Sequence, residues 1–339
     1  MAARDLAADR RLCRALLPRV SRTFAINIRL LRGRLRAAVE TSYLLCRSAD
    51  TLEDAWPGSD AELGARFDEF LAALGGDRAA ASALSAEAAA TARGGAEFEL
   101  LAALPRLLDV FAALPADDRA IVREAVGTLA AGMRRYATRA ATRPATAPYL
   151  DTEDELHDYC WVVAGCVGVM LTRLFAAAAG EADAAVARRR LELAPVVGEA
   201  LQLTNILLDW PTDVRRGRCF VPAAWMAERG LAPADLVRPD REGVAAIAAR
   251  LEGLARAALA RVPDYLALIP ARHVRFRLFC LWPALWAKAS LRHARRDAEF
   301  PWGARRPRLP RAELWGAALR SLLVAPHEGA VRRLYARLG

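Results

Sequence analysis

Apolar residues recur three and four positions apart along most of the chain, and alternating runs rich in Val, Ile or Thr are scarce. That period belongs to helices with one buried face, so the pattern predicts an all-α protein. It places helices near 5–17, 21–31, 34–55, 60–74, 97–112, 116–136, 153–178, 183–209 and 241–265, with further ones near 271–297, 311–323 and the C-terminus. Breaks fall at Trp56-Pro57-Gly58, Gly75-Gly76, Gly94-Gly95, Arg143-Pro144, Arg216-Gly217, Pro233 and Pro301. The Ala-rich stretch 78–93 reads as a surface helix or a mobile loop. No shift in composition marks a linker, and no short repeat occurs. One helical domain over residues 1–339 is the expectation.

Two polar lines interrupt the apolar pattern. In the first segment Tyr43, Arg47, Asp50 and Asp54 lie within about 60° of one another on a helical wheel, with Glu53 just off the line. In the second, Gln202, Asn205, Asp209 and Asp213 form one row about three turns long. Like charges at i,i+4 weaken a helix by a few tenths of a kcal/mol, roughly 0.2–0.5 per pair. A fold has no need of that arrangement, whereas facing helices that hold divalent cations do. A solvated face is the plainer explanation for either row alone, and a weaker one for both together. Pro211 lies inside the second row and predicts that its helix kinks or ends there.

A third segment, Tyr159 to Gly168, carries small residues at Ala164, Gly165 and Gly168 that permit close helix approach or leave room for a ligand. A fourth, Val20-Ser21-Arg22-Thr23-Phe24, offers Ser21 as a helix cap and Arg22 as a phosphate contact. Mg²⁺ prefers oxygen ligands and is held by a few carboxylates together with substrate phosphates. Two acidic faces across a cavity could therefore clamp a diphosphate, with arginines such as Arg47 and Arg218 adding fixed positive charge. An apolar remainder of the cavity would hold hydrocarbon and exclude water from a carbocation. The chemistry indicated is ionisation of a prenyl diphosphate.

Composition trims the alternatives. The net charge of +10 is compatible with nucleic acid, but the basic residues are almost all Arg, with Lys288 the single Lys, and they are dispersed among Ala and acids. Phosphate-bearing ligands or an anionic membrane surface suit the excess better. Six cysteines without a CxxC and four dispersed histidines argue against zinc and for reduced thiols in a cytosolic protein. The N-terminus lacks the apolar core of a signal peptide, and Trp161 to Thr172, the longest uncharged apolar run, is too short to span a bilayer.

Val20-Ser21-Arg22-Thr23-Phe24-Ala25, Leu45 through Asp54, Tyr159-Cys160 through Gly165, and Leu201 through Asn205 to Asp209, Asp213, Gly217-Arg218 and Pro222 resemble the squalene/phytoene synthase family, in family order, over about residues 15–300. The resemblance implies the all-α isoprenoid synthase fold, a helical bundle around a central cavity. The Asp-Thr-Leu-Glu-Asp form at 50–54 is more similar to squalene synthase, which joins two farnesyl diphosphates into presqualene diphosphate and reduces it with NADPH. By resemblance, Asp50, Glu53, Asp54, Asp209 and Asp213 serve Mg²⁺. Ser21, Arg22, Arg47 and Arg218 bind the diphosphate end, Gln202 and Asn205 orient substrate or metal-bound water, and Tyr159 lines the reacting centre. Thr212 stands where squalene synthases often have Glu, and Pro211 is unusual there. The run Gly303 to Arg308 resembles a basic segment associated with NADPH phosphate, which implicates Arg306 and Arg308. The rival readings are a phytoene synthase acting on geranylgeranyl diphosphate without reductant, an enzyme that stops at presqualene diphosphate or quenches it with water, and a non-catalytic assembly protein. The Trp- and Arg-rich stretch 275–302 is either a peripheral membrane contact or ordinary core packing.

Overall fold

A computed structural model describes residues 5–54, 56, 60–91, 94–144, 147–180 and 183–337; the side chains of Arg22, Asp54, Asp60, Ala61 and Arg311 lie outside that description. Every regular element among the described residues is helical. In chain order these are α1 (Leu6–Val20), α2 (Arg22–Ile28), α3 (Gly33–Asp54), α4 (Asp60–Gly75), α5 (Arg78–Ala90), α6 (Ala96–Ala102), α7 (Leu104–Ala112) and α8 (Ala116–Ala141). There follow α9 (Glu153–Cys160), a π-turn (Trp161–Gly165), α10 (Cys166–Ala179), α11 (Ala184–Arg215) and α12 (Ala223–Ala227). The last are α13 (Val244–Leu259), α14 (Val262–Ala267), α15 (Val274–Arg296), α16 (Arg311–Val324) and α17 (Glu328–Ala336), with 3-10 turns at Pro233–Val237 and Ala271–His273.

Five of the described helices start where a side chain satisfies free backbone N–H groups. Asp5 caps α1, Ser21 caps α2, Asp77 caps α5, Thr152 caps α9 and Asp183 caps α11. The Ala-rich stretch is a helix, α5, because Ala81, Leu84 and Ala88 make one buried stripe. Pro211 does not end α11, which continues to Arg215. A proline there forfeits one backbone bond at a cost of about 3 kcal/mol. Burial of Trp210 and Pro211, and the bond from Trp210 Nε1 to the Leu236 carbonyl at 2.9 Å, hold the helix together across the gap.

The chain forms two compact units, residues 1–138 with 169–182, and residues 139–168 with 183–339. In the first unit α3 packs against α1, α4, α6 and α7, and its Leu44, Leu45 and Leu52 are fully buried beside Phe67, Phe70, Leu100 and Leu101. The Arg34 guanidinium bonds the buried Asp118 carboxylate at 2.6 and 2.8 Å, tying the start of α3 to α8.

In the second unit α11 is the centre, touching α13, α14, α15, α9 and the π-turn. The contact with the π-turn is backbone to backbone. A Cβ on Gly168 would fall 2.3 Å from the Ala194 carbonyl oxygen, and one on Gly198 would fall 2.3 Å from that of Ala164. Of the two roles open to the small residues, close helix approach is therefore the one they fill. Trp282 and Trp286 are core residues: their indole N–H groups donate to Ser321 Oγ at 2.8 Å and to the Leu314 carbonyl at 3.3 Å. No disulfide links any of the six cysteines. Burial pushes the thiols of Cys13, Cys166, Cys219 and Cys280 up to about 12, so they act as small apolar groups.

Two helices, Glu153–Ala179 and Ala184–Arg215, are long and apolar enough to cross a membrane, with 39% and 50% of their most apolar windows buried. The first matches the helix expected over 153–178, in which the π-turn joins α9 to α10 without a break; it is longer than the uncharged run Trp161 to Thr172 because it includes the charged residues of α9.

Candidate functional site

The first acidic row sits at the C-terminal end of α3, where the buried leucines fix which face turns outward. Tyr43, Arg47 and Asp50 share that face. Arg47 lies 3.6 Å from the Asp50 carboxylate and donates from its other terminal nitrogen to Glu97 Oε1 at 3.1 Å. Its Nε is buried and makes no hydrogen bond. Burial, the largest influence on Arg47, pulls its pKa down, but Asp50 and Glu97 overcome it and the net shift is upward. A permanent cation is thus held beside the aspartate.

Tyr43 stacks on Phe24 with ring centroids 5.4 Å apart, and burial raises its pKa. Ser21 meets the Tyr43 phenol and also accepts from the Phe24 N–H at 3.3 Å, so the predicted cap exists and carries a second contact. Glu53 is buried while Asp50 is half-exposed. The side chains of Asp54 and Arg22 lie outside the described residues. Glu97, on α6, went unnoticed in the sequence because nothing local links it to a helix fifty residues earlier.

The second row runs along α11. Gln202 and Asp209 are half-buried and Asn205 is exposed. Arg306, on the segment after α15, donates to both Asp209 oxygens at 2.8 and 2.7 Å and to Asn205 Oδ1 at 3.3 Å. The segment is itself tied down by Arg215, which donates to the carbonyls of Trp302 and Gly303 at 2.6 and 2.7 Å. Arg306 therefore stands on the acidic row, and Arg308 is exposed beside it in sequence.

Beyond Asp209, Thr212 Oγ1 bonds the Asp209 carbonyl at 2.8 Å. Gly217 takes φ +78°, a left-handed turn that returns the Arg218 N–H to the Asp213 carbonyl at 2.8 Å. That places Arg218 next to Asp213. Tyr159, at the end of α9, is buried and stacks on Phe220 at 4.9 Å, with Tyr149 packed on the same ring. The stretch before α9 is braced by Arg139, which donates to Glu155 and to the Tyr149 carbonyl, and by Arg143, which pairs with Asp151. The Arg139 hydrogen bond drives the Glu155 carboxyl down to about 2.

Among the described residues no three His, Cys, Asp or Glu side chains converge on one point. Such sparse donors suit a hard cation that keeps waters and takes ligands from substrate phosphates. Asp209 already turns both oxygens to a single cationic group, so its orientation fits a divalent ion. A pocket of about 210 Å³ in the first unit, lined by Arg10, Arg14, Arg36 and Glu40 among others, includes none of the expected site residues.

The family described as squalene/phytoene synthase matches residues 17–313. Squalene synthase of Mus musculus is 27% identical over 291 residues, 85% of this chain and 64% of that protein. The 15-cis-phytoene synthase of Enterobacter agglomerans is 41% identical over 101 residues, 30% of this chain and 32% of that one. The chain thus spans a third to just under two thirds of these curated relatives. The solved structure of TcSQS in complex with a ligand superimposes with a TM-score of 0.78 at 23% identity, covering 98% of this chain and 90% of the other. That likeness shows the fold, the all-α isoprenoid synthase fold.

Proposed function

The chain belongs to the squalene/phytoene synthase family, and on that premise we propose that it condenses two farnesyl diphosphates head to head to presqualene diphosphate and reduces that to squalene with NADPH. The observation that carries the reading is the repeated design of its acidic rows. On α3 and on α11 an aspartate on a solvent-accessible helix face is met by a guanidinium. Each row thus presents an aspartate carboxylate to positive charge.

In this reading Asp50, Glu53, Asp54, Asp209 and Asp213 hold Mg²⁺, which when bound takes up charge on the leaving diphosphate. Arg47 and Arg218, with Arg22 and Ser21, meet the diphosphate oxygens. Gln202 and Asn205 orient substrate or bound water. Tyr159, buried and stacked on Phe220, would line the reacting centre and assist a proton transfer. NADPH would supply hydride. Arg308 is exposed and chemically suited to a 2′-phosphate, while Arg306 must first leave Asp209 to join it.

The phytoene reading keeps support from the 41% identity over 101 residues to a 15-cis-phytoene synthase. One experiment separates the two. Purified protein is incubated with Mg²⁺ and farnesyl or geranylgeranyl diphosphate, each with and without NADPH, and the lipids are identified. Squalene that forms only with reductant is the expected result. Phytoene from the longer substrate would replace the proposal, and presqualene diphosphate or an alcohol with reductant present would shorten it.

A further inference from the structure

Six large apolar side chains stand out as exposed among the described residues, and four of them lie on α16. Trp315 is 48% exposed, Leu319 67%, Leu322 44% and Leu323 81%. At about 100° per residue they fall within an arc of roughly 100°, with Arg320 just beyond one edge of it. The helix is inverted in the usual sense: the face against the protein is Ala317, Ala318 and Ser321, clasped by the Trp282 and Trp286 indoles, and the bulky residues point away. Apolar surface gathered this way marks a docking site rather than scatter.

Charge names the occupant. Residues 302–337 contain eight arginines and two glutamates, a net +6 out of the whole chain's +10. Both glutamates are already paired, Glu313 with Arg292 at 2.9 Å and Glu328 with Arg332 at 3.1 Å; of the arginines, Arg306 pairs with Asp209 at 2.7 Å and Arg332 also with Asp264 at 3.1 Å. A second copy of the chain would set one such field against another. It would also need about 1,200–2,000 Å² of buried surface, more than four side chains expose. An anionic bilayer meets both features: it takes an apolar helix face into the headgroup boundary and attracts a basic surround. Arg320 is placed to keep its head in the phosphate layer while its stem lies along the apolar stripe.

We propose that α16 docks this protein on anionic lipid surfaces through Trp315, Leu319, Leu322 and Leu323. The inference does not depend on which hydrocarbon the enzyme makes.

The test is flotation of the full chain with vesicles of neutral phosphatidylcholine, or of phosphatidylcholine with phosphatidylglycerol. Binding to the anionic vesicles that weakens as salt is raised is expected. The double variant Leu319→Glu/Leu323→Glu should bind them at least about tenfold less tightly. Both positions are exposed, so its thermal unfolding should match the wild type. Arg320→Glu should weaken binding by a smaller factor. Failure to float with either vesicle overturns the proposal, as does equal, salt-independent binding to both. A wild-type dimer by light scattering that the double variant converts to monomer would assign the face to self-association instead.

Discussion

The two acidic rows neutralise themselves in opposite ways. On α3 the counter-ion is local: Arg47 stands one turn before Asp50 on the same helix and is half-buried. On α11 it is remote: Arg306 reaches Asp209 from 97 residues away, on an exposed segment held by Arg215. On the proposed function, a local, half-buried cation would stay when substrate arrives and join the binding surface. A remote, exposed one can leave. The first row is thus a fixed pair, and the second is a carboxylate under a removable guard.

The comparison breaks most simply if either row is dispensable. Asp50→Asn and Asp209→Asn should each lower turnover by about 100-fold or more, the scale of losing a group that meets developing charge. Circular dichroism and melting temperature should stay near wild type, because both side chains are only half-buried. Retention of near-normal rates in both variants would remove the basis of the comparison.

Next in size is the support of the second row. Gly198→Ala should destabilise the protein by about 1–3 kcal/mol, the usual penalty of overpacking, because the new methyl meets the Ala164 carbonyl. Denaturant melts check this, and a neutral result would mean that the π-turn gives way easily.

The fixed and guarded cations should then separate in metal binding. Arg306→Gln should tighten Mn²⁺ binding to substrate-free protein by about fivefold, equivalent to the roughly 1 kcal/mol of an exposed pair. Arg47→Gln should lower turnover without that gain. Tighter binding in the Arg47 variant alone would invert the assignment.

The smallest effect concerns the brace before Tyr159. Glu155 is held near 2 by Arg139, below its ordinary 4.5. A lowered carboxylate stabilises the fold above its unfolded value and loses that contribution as pH falls. Melting temperature should therefore drop between about 4.5 and about 2 in the wild type, and Glu155→Gln should flatten that part of the curve. An unchanged acid slope in the variant would place the loss elsewhere.

Much of this was legible in the residues. Helical period gave the class and most boundaries within a few residues, since the buried stripes are contiguous in sequence. Of the first row, Tyr43, Arg47 and Asp50 were readable, because they meet through helix geometry alone; the Asp54 side chain lies outside the described residues. Gly168 was visible as a small residue, but its counterpart Gly198 was not singled out, and only the packed backbones show the close approach at both. Glu97, Phe220 and the Arg306 bond to Asp209 were hidden, as each depends on where a distant segment returns. Pro211 misled as to where α11 stops, because local propensity takes no account of the tertiary bond made by Trp210.

The central proposal is that the aspartates of each row hold divalent cations for a diphosphate. The direct measurement is Mn²⁺ binding in the presence of inorganic pyrophosphate, followed by electron paramagnetic resonance in the wild type, Asp50→Asn and Asp209→Asn. Fewer bound ions in each variant, with the fold intact, is the predicted result. Unchanged stoichiometry and affinity in both would contradict it.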